Sequence, residues 1–139
     1  MPTDQELYDQ LAFYTLSHPD PAFLHQHIVD AFAVQHAGEQ SKPISVVFGL
    51  IGLYLFVEKG FTGKQVQKMH MQLAKHRRQW PALTPPKSQA GITVADVLTA
   101  APGQQRDQAI RDWCAAVWEI WQPHRAYIAG LARKELDIQ

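Results

Sequence analysis

Cysteine is nearly absent from these 139 residues: Cys114 stands alone, so no internal disulfide contributes to stability, and a reducing compartment suits the chain. Net charge is absent too. Thirteen Lys and Arg balance thirteen Asp and Glu, which removes the electrostatic case for nucleic acid or an anionic membrane surface. No Walker loop, Rossmann glycine pattern, nucleophile elbow or His-Glu zincin helix occurs, and those absences exclude the commonest nucleotide, hydrolase and protease chemistries. Strand-like alternation, internal repeats and low-complexity tracts are missing as well. The start, Met1 to Glu6, is polar and acidic, unlike a secretion signal. The longest apolar run, Ile44 to Val57, would extend only roughly 21 Å as a helix, short of a ~30 Å hydrocarbon core. It reads as a central buried helix of a soluble, cytoplasmic protein.

Helix signals fill what remains. Apolar residues make up 46% of the chain and charged residues 19%, the composition of a globular domain able to bury one core. A first helix is expected over Asp4 to Leu16, stopped by His18-Pro19-Asp20-Pro21. Asp20 is placed to cap a second helix, with Pro21 in its first turn and Gly38 at its end. The apolar run forms a third helix, Pro43 to Lys59, closed by Gly60. Thr62 and Gln65 have capping-box spacing for a fourth that reaches about Gln79. Trp80-Pro81 and Pro85-Pro86 impose an extended loop. Thr93 caps a short helix to Ala100, and a last long helix starts near Gly103 and bends at Pro123. These long helices and the short one predict a single all-α, bundle-like domain over residues 1–139.

The second helix carries an unusual polar load: His25, Gln26, His27, Asp30, Gln35 and His36 lie among apolar residues. Buried polar groups need partners, so this run points to a site. At about 100° per residue, His25, Ile28, Phe32, Gln35 and His36 share one stripe, while Asp30 points with His27, Phe23 and Val34. His25 and His36 are roughly 16 Å apart along the axis, too far for one ion, and His25 and Asp30 diverge by about 140°. A mononuclear metal site must therefore recruit other helices. His76 falls on the apolar face of the fourth helix and His124 on that of the last. Inward His25, His76 and His124 on three helices make a candidate zinc, nickel or iron site with an open position, of the kind a metal-assisted hydrolase or transferase uses. Asp30, Gln35 and His36 are the candidate small-ligand residues, with Gln35 placed to fix the His36 tautomer. His70 borders the basic stripe Lys64, Lys68, Lys75 and Arg78 and reads as solvated. Trp113, Trp118 and Trp121 read as core, and Cys114 as a small buried hydrophobe.

Several of these motifs recur together. His25-x4-Asp30-Ala31-Phe32-Ala33-x-Gln35-His36, Leu53-x-Leu55-x2-Glu58-x-Gly60, Pro85-Pro86, Ile92-Thr93-Val94-Ala95-Asp96-Val97 and Trp118-x2-Trp121-x2-His124 resemble a bacterial family of unknown function over about residues 8 to 133. The resemblance implies that His25, Asp30, Gln35, His36 and His124 belong to a shared signature. Many relatives begin with a short cysteine-bearing segment that implies a metal-binding knuckle; this sequence has no counterpart. Two functions are therefore expected to compete. One is a buried His-rich pocket for a metal or small polar ligand. The other is a non-catalytic interaction module, a homodimer for instance, whose His and Asp residues form a structural network and whose third helix, through Gly49 and Gly52, allows close helix contact.

Overall fold

The computed structural model describes residues 1–18, 22–76 and 78–139. Among them the secondary structure is helical, with no strand: α1 (Asp4–Leu16), α2 (Leu24–Gln35), α3 (Pro43–Lys59), α4 (Gly63–Ala74), α5 (Val94–Thr99), α6 (Gln104–Ile120) and α7 (Arg125–Leu136), with a 3-10 turn, Gln122–His124, between the last two. The all-α fold is the one the sequence predicts. No helix of the described residues is long and apolar enough to cross a membrane.

The apolar α3 is the axis of the bundle, packed by α2, α4, α6 and α7. Residues 49–55 on it are buried without interruption, as expected of a helix with neighbours on every side. Pro43 occupies its first turn, where a missing N–H costs nothing. Gly60 ends it at φ +70°, a left-handed conformation that suits glycine, and Phe61 N–H reaches back to Leu55 O at 3.0 Å. Capping boxes form at Thr3–Glu6, Thr62–Gln65 and Thr93–Asp96. The expected cap at Asp20 and first turn at Pro21 lie outside the described residues.

Two boundaries differ from expectation. The last helix divides in two, because Pro123 has no N–H to continue the ladder. Glu58 at the end of α3 spans that break, accepting from Trp118 Nε1 at 2.7 Å and from Arg125 Nη2 at 2.6 Å. The fourth helix stops at Ala74, short of Gln79. Beyond it Arg78 donates to Glu135 of α7 at 3.0 Å, and Pro81 disfavours helical backbone at Trp80.

Candidate functional site

The polar residues of α2 divide between two neighbourhoods. Asp30 is only 3% exposed and packs directly on Gly52, where a Cβ would overlap its Oδ2. Glycine at position 52 therefore makes room for the carboxyl at the α2–α3 crossing. Gln26 Nε2 donates to Asp30 Oδ1 at 3.2 Å, while Oδ2 has no partner. Burial raises the Asp30 carboxyl well above its ordinary value and outweighs the Gln26 bond, which acts the other way. The chain of contacts continues to α4. His70 Nε2 lies 2.7 Å from Phe48 O, an acceptor only, so that nitrogen carries the proton and Nδ1 is left to accept from Gln26 at 3.5 Å. A shallow cavity of about 300 Å³ borders Gln26, Asp30, Phe48 and His70. His70, expected on a solvated face, is in fact part of this buried chain.

His27 lies one turn before Asp30 and is 1% exposed. Its ring stacks on Phe56 of α3 with centroids 3.5 Å apart and planes within 10°. Nδ1 is buried and has no hydrogen-bond partner. Desolvation, with a smaller push from the Arg111 guanidinium, lowers the ring to about 4, so His27 is neutral near pH 7. The imidazole forms part of the wall of a cleft of about 460 Å³ between α2, the end of α3 and α6. Leu24, Phe56 and Phe61 give this cleft apolar walls, and Gln108, Arg111 and Asp112 bring polar groups from α6. Gly63 N–H donates to Ala22 O at 2.6 Å, which holds the start of α4 against the chain entering α2. Cys114 lies behind His27 with its thiol 3.7 Å from His27 O; burial pushes that thiol up, so it stays protonated.

The sequence-derived candidates go elsewhere. His25 Nδ1 meets Thr15 Oγ1 at 3.0 Å. His76, expected on the core side, is 43% exposed and meets Glu135 at 3.0 Å. His124 Nε2 donates to Thr84 O at 2.8 Å. Each of the three rings is held by a different part of the chain. Among the described residues no three His, Cys, Asp or Glu side chains are placed to hold a metal ion. The donor set therefore does not fit the zinc, nickel or iron centre drawn from the sequence. The Gln35 side chain makes no hydrogen bond to His36; it donates to Ile92 O at 2.8 Å and accepts from Trp113 Nε1 at 2.9 Å, tying α2 to α6 and to the loop before α5. His36 is exposed at the end of α2, where its Nε2 is 3.2 Å from Asp4 Oδ2. Gln35 and His36 do border one common surface cavity, of about 420 Å³, and Asp30 stands apart from it.

Neither His27, counted only in the polar run of the second helix, nor Arg111 was among the candidate ligands drawn from the sequence. His27 had a signal, because it shares its direction with Phe23 and Val34 on a second apolar side of α2. Arg111 had none: nothing in the α6 pattern marks it off from other surface cations.

A model of a family of unknown function, DUF5946, matches residues 3–122. No curated protein and no solved structure matches the chain.

Proposed function

The chain belongs to this family of unknown function, and we propose that it is a small-molecule-binding helical domain whose ligand occupies the cleft beside His27. The observation that carries this reading is a fully buried imidazole with an unpaired nitrogen at the wall of that cleft. An unpaired buried polar group costs about 1–3 kcal/mol, so a fold keeps one where something else compensates. The cleft volume of about 460 Å³ falls within the usual span of ligand pockets, roughly 300–1,000 Å³. Its mixture of apolar walls and a few polar groups has the same character. A lone buried thiol accords with a cytoplasmic, reducing setting.

The test is a thermal-shift screen of chemically diverse fragments on the protein and on Ala115→Trp, which fills the cleft from an exposed position on α6. Some fragments are expected to raise Tm in the parent protein alone. If every stabilising fragment acts equally on both proteins, the cleft is not the binding site.

One observation favours the second reading, an interaction module built on a polar network. Gln35 bridges Trp113 and Ile92, and Gln26 bridges Asp30 and His70, as register-fixing contacts do. A concentration series by light scattering separates a homodimer from a monomer and so tests the self-association form of that reading.

A further inference from the structure

The charges around His27 narrow the class of ligand. Arg111 is the charged group whose field reaches the His27 ring, and its effect there is to disfavour a second positive charge. Three other arginines of the described residues are engaged. Arg78 pairs with Glu135, Arg125 with Glu58, and Arg106 donates to the carbonyls of Leu98 and Ala100. Arg111 makes no hydrogen bond or ion pair among the described residues. Its neighbour Asp112 lines the same cleft but makes no ion pair with it; the Asp112 carboxylate accepts instead from Gln108, at 2.9 Å. The lining of the cleft thus combines an exposed guanidinium that has no partner among the described residues with a neutral imidazole stacked on Phe56, and Phe61 adds a second ring.

We infer that the cleft binds a small organic monoanion, a carboxylate on a flat apolar body, with Arg111 holding the carboxylate and the body lying among Phe56, Phe61 and Leu24. The inference rests on the reading of this cleft as the ligand site. A guanidinium presents paired N–H donors that match a carboxylate, and it is the one positive centre there without an acceptor. A cationic ligand would meet Arg111 and a ring that burial keeps from charging. A polyphosphate would need more cations than the single guanidinium, or a glycine-rich loop, and the cleft has neither.

The experiment uses three probes of one shape: benzoate, benzamide and benzylamine, titrated at neutral pH while the His27 ring resonances are followed by NMR. Benzoate is expected to move those resonances and to bind more tightly than the other two. Arg111→Gln, a change at an exposed position, should weaken benzoate by about tenfold or more, since a charge-assisted bond is lost. The same variant should leave benzamide unaffected, and Arg111→Lys should recover part of the loss. If benzamide or benzylamine binds as tightly as benzoate, or Arg111→Gln leaves benzoate unchanged, the anion inference falls while the cleft remains a ligand site. If none of the three moves the His27 resonances at millimolar concentration, the cleft reading and the inference fall together.

Discussion

On the α3-facing side of α2 the imidazole of His27 is buried against Phe56, and one turn later the carboxyl of Asp30 is buried against Gly52. Both lack a partner for one polar atom, and burial drives both toward neutrality, His27 by losing a proton and Asp30 by keeping one. Their surroundings differ. Asp30 ends a chain of protein contacts through Gln26 and His70 to Phe48 O, and its unpaired oxygen faces helix backbone. His27 has no such chain and stands at the wall of a cleft with an uncommitted arginine. An unpaired atom alone does not mark a binding site; what the surrounding side chains leave uncommitted does.

The sharpest way to break the comparison is to fill the Asp30 side. Gly52→Ala drives a Cβ into the carboxyl, and we expect a loss of about 3 kcal/mol in denaturant unfolding, at the upper end for overpacking. Asp30→Ala in the same chain should restore much of that loss, which a double-mutant cycle reads as coupling.

Acid comes next. His27 has its folded pKa lowered from 6.5 to about 4, so its contribution is complete above pH 6.5 and is lost as pH falls through about 4. The shift corresponds to about 3 kcal/mol. His27→Phe keeps the stack and should flatten much of that slope; His25 and His70, both lowered by burial, leave a smaller slope of the same sign. An unchanged acid profile in His27→Phe would show that this imidazole does not control the transition.

Gln35→Leu asks what a fully committed polar group is worth. It leaves the indole N–H of Trp113 and the Ile92 carbonyl without their partner, and about 2 kcal/mol should be lost at all pH values, with no change in fragment binding. The smallest effect belongs to Asp30→Asn. Because the Asp30 pKa is raised, the carboxyl's contribution is complete below 3.8 and is lost as pH rises through the folded value. The amide should therefore match the parent within about 1 kcal/mol in acid and exceed it at higher pH. Elemental analysis of protein purified without chelator should find no stoichiometric zinc, nickel or iron, as expected of imidazoles held by Thr15, Glu135 and Thr84.

Periodicity and punctuation carried the fold. The apolar run closed by Gly60, the Thr62 capping box and the Thr93 cap are local features, and each reappears in the structure, while the bend expected at Pro123 is a full break between two helices. The polar load of α2 was legible as well, including the direction Asp30 shares with His27. What a helical wheel cannot supply is the identity of the neighbour. Position 70 looked solvated on the wheel of α4, yet α3 presents it with the Phe48 carbonyl. Position 76 looked inward, yet the helix has ended before it, and the ring turns to Glu135. Arg111 became significant only through what it fails to contact, which no sequence records.

Gly52 and Asp30 also constrain how this fold can diverge. A side chain at 52 excludes the carboxyl, and a smaller residue at 30 leaves space that a Cβ at 52 can fill. The two positions should therefore behave as one inherited character, changing together across related chains or not at all, although they lie 22 positions apart in the sequence.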